Sequence, residues 1–329
     1  MNGSNSFGSL PTNSTSAANF GVSLATVLLA QLSLALLPRC FPYSHLLVQL
    51  LLSAAVLLGF FGVGGRLRRL LGLRASAPAF VFFSIVYVWA VYFGFARKAV
   101  SGAVDVMFNL EVALLIIGLC RILRKDPGRI APDDSCLNEL ADGSFSSSET
   151  EDRPQVWPSI TNDTTIRRIR YCRTCRAYIL AFDHHCPAFG NCIGQNNHLL
   201  FMVLLWGFMV TEVTFVAIAF KFQNKSGAFH EARSENTIGL DLILGATLFA
   251  ILQLMWQGIF FLWHLYCVCF NIKTEEWVNW EKYPEFQLVI DTDRDPAPSN
   301  PRFTNPYDKG IAENIKQFLW QGGSMTRLM

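Results

Sequence analysis

Six long runs of apolar residues, separated by polar or charged links, dominate the pattern along this chain of 329 residues. Each run approaches the roughly 20 residues that an α-helix needs to cross the hydrocarbon core of a bilayer. Because backbone groups inside a bilayer must be satisfied within their own segment, each run predicts a helix. The pattern therefore predicts an all-α integral membrane fold with about six transmembrane helices. The runs are Phe20–Leu37, Leu46–Val63, Ala79–Phe95, Val104–Leu123, Leu199–Phe220 and Leu240–Leu262.

Polar segments flank these runs and divide the chain into five parts. The prediction is a polar N-terminal segment, four spans, a central polar segment, two spans and a polar tail, bounded as 1–19, 20–123, 124–198, 199–262 and 263–329. Residues 129–166 hold few apolar side chains, which predicts a linker or loop. In the tail, apolar residues recur at helical spacing, which predicts a short amphipathic helix. They are Ile311, Ile315, Phe318 and Leu319.

Positive charge along the links sets the predicted orientation. The link after the second run contains four arginines, whereas the link after the third holds only Arg97 and Lys98. Since cytosolic links carry an excess of Lys and Arg, the second link is predicted to be cytosolic, and so are the central segment and both termini. No basic residue precedes the first run, so that run is expected to remain as a span, not to be cleaved as a signal peptide. The four arginines are Arg66, Arg68, Arg69 and Arg74.

The amino-acid composition is that of a membrane protein, and it argues against a nucleic-acid-binding protein and against a secreted disulfide-rich protein. The chain is 51% hydrophobic and 16% charged, with a net charge of +2. Without a strongly basic balance, or a basic run interleaved with aromatics, no nucleic-acid partner is expected. Four of the nine cysteines lie between positions 172 and 192. Such clustering favours metal or thiol chemistry in a reducing compartment over a secreted disulfide framework.

The cysteine cluster has the spacing of a zinc site. Cys172 and Cys175 form a C-x2-C pair, and Cys192 together with one histidine of His184-His185 would complete four ligands. A Cys3His set is tetrahedral and leaves no open position for water. The zinc predicted here is therefore structural.

The residues left over are Asp183, one histidine and Cys186, which together offer a carboxylate, a base and a nucleophile. Adjacent residues of an extended segment point to opposite sides, so one histidine can face the metal and the other Cys186. An imidazole beside a thiol favours thiolate, and a carboxylate orients the imidazole. Spacing alone leaves a second interpretation open, in which Cys186 is an extra ligand or a buried small side chain. A thioredoxin-like role for the C-x2-C pair is disfavoured, because no strand-helix pattern surrounds it.

The stretch Asp183-His184-His185-Cys186-Pro187, followed by Asn191-Cys192-Ile193-Gly194, Asn197 and Phe201, resembles the cysteine-rich domain of DHHC-type protein S-acyltransferases, or palmitoyltransferases. Further motifs of that family occur in the expected order. They are Asp126-Pro127-Gly128, then Thr274 and Glu276 of a TTxE motif, and finally Asn305-Pro306-Tyr307, Gly310 and Asn314.

The resemblance implies a role for each matching residue. Cys186 would be the acylated nucleophile, His184 its base and Asp183 the residue that orients His184. The metal ligands would be His185 together with Cys172, Cys175 and Cys192. Family members load an acyl group from acyl-CoA onto the cysteine and then transfer it to a thiol of a substrate protein. The implied activity is that of a protein-cysteine S-palmitoyltransferase, with palmitoyl-CoA or another long-chain acyl-CoA as donor.

The setting expected for this activity follows from the same residues. Arg173 and Arg176 are candidates to meet the CoA phosphates, although a general positive-inside anchor would also account for them. The expected partners are the lipid bilayer and cytosolic or membrane-anchored proteins with accessible cysteines. The expected location is a membrane of the endomembrane system, either endoplasmic reticulum, Golgi or plasma membrane.

Several positions depart from the family pattern. The ligands of the family's usual second zinc site are replaced by Pro158, Thr161, Tyr171 and Tyr178. One zinc is therefore predicted, with the two tyrosines packed where the second would lie. Ala188 replaces a tryptophan, and Lys273 replaces the first threonine of TTxE. These changes leave open a catalytically weak or inactive membrane scaffold that binds client proteins. A six-span transporter is disfavoured, since no broken helices occur at matching positions.

Overall fold

The computed structural model describes residues 13–70, 75–130, 168–225, 237–288 and 301–323. Its helices are α1 (Asn13–Cys40), α2 (Leu46–Leu70), α3 (Ala77–Val91), α4 (Gly102–Arg124), α5 (His198–Lys225), α6 (Thr237–Cys269), α7 (Thr274–Val278) and α8 (Ile311–Gly323). The described residues fall into two compact units, one within Met1–Leu119 and Trp206–Gly258, the other within Cys120–Leu205 and Ile259–Met329.

Six of these helices are long and apolar enough to cross a membrane, which confirms the predicted number of spans. Each span is longer than the apolar run that predicted it, because the helix continues through polar residues at its ends. A π-helical turn and a 3-10 turn extend α3 to Ala99. The spans are Ala17–Cys40, Leu46–Arg66, Ala77–Ala99, Gly102–Arg124, His198–Lys225 and Ile238–Cys269.

The helices of the first unit are in close contact with one another on one side and expose apolar side chains on the other. Leu34 and Phe249 are buried together, and Gly245 lies so close to α1 that a Cβ atom would meet the Ala35 backbone at 2.6 Å. On α2, by contrast, Leu51 and Leu58 are more than 60% exposed. A continuous apolar surface of this kind is what a lipid-facing helix presents.

Intramembrane carboxylates in this unit have polar partners on neighbouring helices. The hydroxyl of Thr214 on α5 donates to Glu111 on α4 at 3.2 Å. The amide of Gln257 on α6 donates to Glu212 on α5 at 2.9 Å. Hydrogen bonds between helices are the usual way to accommodate such groups in the membrane.

The second unit contains short strands between α4 and α5. The strands β1 (Arg129–Ile130), β2 (Ile169–Cys172) and β3 (Ala177–Leu180) form an antiparallel sheet in the order β1-β3-β2. A separate antiparallel hairpin joins β4 (His184–Cys186) to β5 (Asn191–Ile193). The predicted linker thus begins with a strand, because β1 pairs with β3. Residues 131–166 of that linker lie outside the described residues.

The same unit includes the segment after α6. There α7 is followed by the paired strands β6 (Gln287–Leu288) and β7 (Arg302–Phe303) and then by α8. The helix α8 confirms the element predicted from its apolar spacing. Its buried member, however, is Asn314, whereas Ile311 and Leu319 are more than half exposed. Asn314 is buried because its amide donates to the Cys269 carbonyl at 2.8 Å, which ties α8 to the end of α6.

Candidate functional site

The C-x2-C pair lies on the turn between β2 and β3. Cys172 ends β2, and the backbone N–H of Cys175 donates to the Cys172 sulfur at 3.4 Å. Arg176 closes the turn with a φ of 50°, a left-handed conformation that brings the chain back into β3. This knuckle turns both sulfurs to the same side.

The other two candidate ligands face each other across the second hairpin. His185 of β4 is paired with Cys192 of β5. Since side chains alternate along a strand, His185 points to one face of β4, while His184 and Cys186 point to the other. The hairpin therefore separates two sets of side chains that are adjacent in sequence.

The four atoms of the first set converge. His185 Nδ1 lies 3.8, 3.4 and 3.6 Å from the sulfurs of Cys172, Cys175 and Cys192. The sulfurs of Cys175 and Cys192 are 3.4 Å apart. A tetrahedral zinc with three thiolates and one imidazole requires edges of about 3.8 Å between sulfurs and about 3.5 Å between sulfur and nitrogen. The sulfur–nitrogen distances lie within about 0.3 Å of these values and the one sulfur–sulfur distance is about 0.4 Å shorter, so the cluster could hold a metal ion.

The chemistry of this donor set also fits a cation. Burial and the two neighbouring thiols raise the pKa of the Cys192 thiol, because several thiolates in one buried place repel each other. Burial and the charge of His184 lower the pKa of His185, which favours the neutral imidazole that ligates metals. A divalent ion would compensate the thiolate charges that are otherwise unfavourable here.

On the opposite face, Asp183 and His184 form a hydrogen-bonded pair. Asp183 Oδ2 lies 2.7 Å from His184 Nδ1, and the aspartate side chain is fully buried while His184 is 20% exposed. Cys186, which follows on the same face, is 7% exposed. Burial by itself would lower the pKa of His184, but Asp183 and Cys186 outweigh it and raise the pKa to about 9. Despite its burial, the carboxyl pKa of Asp183 is held well below its usual range by the surrounding histidines.

The start of α7 holds Asp183 in place. Its Oδ1 accepts from the backbone N–H of Thr274 at 3.0 Å, and its carbonyl accepts from the N–H of Glu275 at 3.0 Å. Both N–H groups belong to the first turn of a helix, where no intrahelical acceptor is available. The carboxylate is thereby fixed with its other oxygen toward His184.

A buried ion pair fixes α7 in turn. Arg168 donates to both carboxylate oxygens of Glu276, and to the Asn271 side chain at 2.8 Å. Its guanidinium also lies over the Tyr307 ring, 4.2 Å from the centroid. Glu276 accepts from the N–H of Lys273 at 2.9 Å. The two motif residues Glu276 and Tyr307 thus contact the same arginine.

Sequence reasoning missed two histidines that reach the same place. His264 on α6 has its Nδ1 atom 3.7 Å from Asp183 Oδ2, and its side chain is fully buried. His198 at the start of α5 lies 3.2 Å from the ammonium of Lys273 and is also buried. Neither was singled out, because each is a single histidine at the edge of an apolar run, without a second ligand at metal-site spacing.

Glycine and asparagine residues of the motifs hold the hairpins. The Asn191 amide donates to the carbonyls of Ile122 and Lys125 at 3.0 and 2.9 Å, which caps the end of α4. Asn197 bridges the Gly194 N–H and the Cys192 carbonyl. At Gly194 a Cβ atom would lie 2.5 Å from the Pro127 carbonyl oxygen, so no other residue fits without displacement.

Where the family usually has a second zinc site, Tyr171 and Tyr178 lie opposite each other in the β2–β3 register, with ring centroids 5.1 Å apart. This is the packing predicted for them. Pro158 and Thr161 lie outside the described residues. The structure therefore presents one cysteine-containing metal cluster within the part of the chain it describes.

The arginines between positions 168 and 176 lie in two environments, two in ion pairs and two exposed to solvent. Arg168 and Arg170 are engaged in ion pairs with Glu276 and Glu285. Arg173 and Arg176 are exposed and make no ion pair with any described residue. A role for the latter two in binding CoA phosphates stays a prediction.

The sequence of this chain is similar to a known protein family and to several of its members. Residues 153–281 match the family model for the DHHC palmitoyltransferase. The chain is 29% identical over 249 residues to palmitoyltransferase ZDHHC12 of Homo sapiens, which covers 68% of this chain and 79% of that protein. It is 25% identical over 172 residues to probable protein S-acyltransferase 15 of Arabidopsis thaliana, covering 52% of this chain and 64% of that one.

A third relative, palmitoyltransferase ZDHHC17 of Homo sapiens, is 26% identical over 161 residues, which cover 46% of this chain. The matched part is 24% of the length of that protein. The chain thus spans less than two thirds of the length of two of these three relatives.

Proposed function

Residues 153–281 are a DHHC palmitoyltransferase domain, and on this premise we propose that the chain is an integral-membrane protein S-acyltransferase. Cys186 would carry the fatty acyl group and pass it to a cysteine of another protein. The observation that carries the proposal is the hydrogen bond between the buried Asp183 and the partly exposed His184, which lies on the same face of β4 as Cys186. A metal cluster on the opposite face would hold that strand rigid.

In the first step, the Cys186 thiolate attacks the thioester carbonyl of acyl-CoA. A new carbon–sulfur bond forms, the bond to the CoA sulfur breaks, and the CoA thiolate takes a proton from the His184 imidazolium. Asp183 holds Nδ1 of His184, so that Nε2 is the atom that exchanges the proton. The raised pKa of His184 favours this imidazolium, which stabilises the thiolate.

In the second step, a cysteine thiol of the client protein attacks the acyl-Cys186 thioester. His184 takes the proton of that thiol, the acyl group moves to the client sulfur, and Cys186 leaves as a thiolate. The enzyme returns to its starting state with no net change in bonds. Because one product departs before the second substrate reacts, the kinetics are of the ping-pong type.

One zinc ion would be held by Cys172, Cys175, His185 and Cys192. The four ligands fill a tetrahedral shell, so the ion would supply structural rigidity and no chemistry at the thioester. It would join the β2–β3 turn to the β4–β5 hairpin. Without it the positions of Asp183, His184 and Cys186 would depend on a hairpin of six paired residues.

The membrane supports this chemistry energetically. A long acyl chain favours apolar surroundings by about 0.8 kcal/mol per methylene, so helices in a bilayer suit it better than water. The proposed donor is palmitoyl-CoA or another long-chain acyl-CoA, with Arg173 and Arg176 as candidates to meet its phosphates. The proposed clients are cytosolic or membrane-anchored proteins with accessible cysteines, at an endomembrane or plasma membrane whose cytosolic side carries the site.

The alternative is a catalytically weak or inactive scaffold, which Ala188 and Lys273 favour as departures from the family pattern. The two functions differ in one measurable property, the formation of a thioester on Cys186. The purified full-length protein is incubated with labelled palmitoyl-CoA, and hydroxylamine-sensitive label is measured on wild type, Cys186→Ser and Cys269→Ser.

Label on wild type and on Cys269→Ser, but not on Cys186→Ser, supports the acyltransferase. Cys269 is the matched control because it is a half-buried thiol of the same unit that is not a candidate ligand. Absence of label from wild type would refute the proposed acyltransferase activity and support the alternative, an inactive scaffold.

A further inference from the structure

A second cluster of metal-ligating side chains lies beside the first. One atom each of Asp183, His184 and His264 lies within 4.8 Å of the other two, and no sulfur belongs to the set. The two clusters share no residue. They lie on opposite faces of β4, since His185 serves one and His184 the other.

His264 is the residue that the proposed acyl transfer does not use. Its side chain is fully buried, and neither Nδ1 nor Nε2 has a hydrogen-bond partner among the described residues. The rings of Phe201 and Phe260 pack around it, with centroids 4.9 and 4.5 Å away. A buried polar group without a partner is costly, and such groups usually mark a function or a bound species.

The geometry directs this imidazole toward Asp183. His264 Nδ1 lies 3.7 Å from Asp183 Oδ2, which is too long for a hydrogen bond. His184 Nδ1 lies 2.7 Å from the same oxygen. Around a tetrahedral zinc with nitrogen and oxygen ligands, neighbouring ligand atoms are about 3.3 Å apart. The distance from His264 to Asp183 is therefore about 0.4 Å longer than this value, and the distance from His184 to Asp183 is about 0.6 Å shorter.

We propose that Asp183, His184 and His264 form a second, exchangeable site for a divalent cation of the zinc type, and that its occupation blocks acyl loading. Two imidazoles and a carboxylate are ligands that zinc accepts readily. With three protein ligands the fourth position stays open to water, so the ion is bound less firmly than one in a closed Cys3His shell. His184 is 20% exposed, which gives the ion a route into the cluster.

The claim that a bound cation blocks acyl loading rests on the proposed function. An ion bound to Asp183 and to Nδ1 of His184 replaces the proton that the two share. The imidazole then keeps its remaining proton on Nε2, so Nε2 has no lone pair with which to take a proton from a reacting thiol. The structural zinc would thus support acyl loading of Cys186, whereas the exchangeable zinc would block it. The binding part stands without the proposed function, because it depends only on the ligand atoms.

The test uses the full chain in detergent micelles after a wash with a weak chelator, so that only the tightly held zinc remains. Zinc bound per chain is then measured during titration with Zn²⁺, for wild type, His264→Leu and His45→Gln. His45 is the control, because it is an exposed histidine that belongs to neither cluster. Wild type and His45→Gln are expected to take up one further equivalent, and His264→Leu none.

The first equivalent, which should persist in all three proteins, reports that each is folded. A separate measurement on wild type does not depend on any variant. When the exchangeable position is filled with Co²⁺, tetrahedral visible absorption without a sulfur-to-cobalt charge-transfer band is expected. A strong charge-transfer band would place the ion on thiolates and overturn the assignment, as would the lack of any further equivalent in wild type.

The inhibition is measured on the same proteins with labelled palmitoyl-CoA. Saturating Zn²⁺ is expected to slow acyl loading of wild type at least about tenfold, and to leave whatever rate His264→Leu has unchanged. Equal sensitivity of the two proteins would refute the inhibitory role. If wild type carries no label even without added Zn²⁺, the proposed function fails, while the metal count still decides whether the site exists.

Discussion

Removing the charge of Glu276 is expected to destabilise the second unit strongly, although Glu276 touches neither Cys186 nor a candidate metal ligand. Its side chain is 1% exposed and that of Arg168 is 9% exposed. Burial alone would raise the pKa of Glu276, but the charge and hydrogen bonds of Arg168 lower it. In Glu276→Gln the arginine stays buried without its counter-ion.

The magnitude follows from that uncompensated charge. Breaking a buried ion pair by removing one partner costs about 3–5 kcal/mol. For a unit of this size, such a change lowers the melting temperature on the order of 10 °C. In the double variant Arg168→Met/Glu276→Leu neither charge remains. It is therefore expected to be more stable than Glu276→Gln, because no buried charge is left unpaired.

The assay is thermal unfolding in detergent with zinc present. Glu313→Gln is the matched control, because Glu313 forms an exposed pair with Lys316 at 3.5 Å, and the two side chains are 53% and 63% exposed. Such a surface pair contributes about 0.5 kcal/mol or less. Equal melting temperatures for Glu276→Gln and Glu313→Gln would refute the reasoning, and so would a double variant less stable than Glu276→Gln.

Three further predictions concern the same unit. Asp183→Asn should slow acyl loading by about 10²–10⁴-fold, because His184 loses the group that fixes its tautomer, while the zinc that survives a weak-chelator wash stays the same; an unaltered loading rate would contradict this. Gly194→Ala should cost about 1–3 kcal/mol of stability, since its Cβ would meet the Pro127 carbonyl, whereas Gly258→Ala, with open space around it, should cost little in the same melting assay. Burial and Arg168 lower the pKa of Lys273 from 10.5 to about 8, so the unfolded chain binds more protons between these pH values. The free energy of unfolding of wild type should then rise with pH across this window relative to Lys273→Met, and denaturant titrations that show the opposite slope would exclude it.

Much of the candidate site was readable from spacing. The C-x2-C pair, Cys192 and one histidine gave four ligands, and strand alternation predicted that His184 and His185 point to opposite faces. The paired strands β4 and β5 confirm that division. The roles of Cys186, His184 and Asp183 in catalysis stay a prediction, since the structure gives their positions and no reaction.

Other features could not be predicted because they depend on contacts between distant parts of the chain. No spacing pattern singled out Arg168, which is buried against Glu276, 108 positions away. His264 falls 81 positions after Asp183, two residues beyond the last predicted apolar run, and no spacing connects it to the cysteine cluster. In α8 the apolar spacing predicted the helix, but the residue that docks it is Asn314.

The sequence by itself determined the elements and the ligand types. Hydrophobic length specifies six spans because the bilayer has a fixed thickness, and cysteine spacing specifies a knuckle because two thiolates must reach one ion. Only the tertiary structure decided which groups surround Asp183. Its neighbours come from α5, α6 and α7, and their approach depends on packing and buried charge, which act between residues that no local pattern connects.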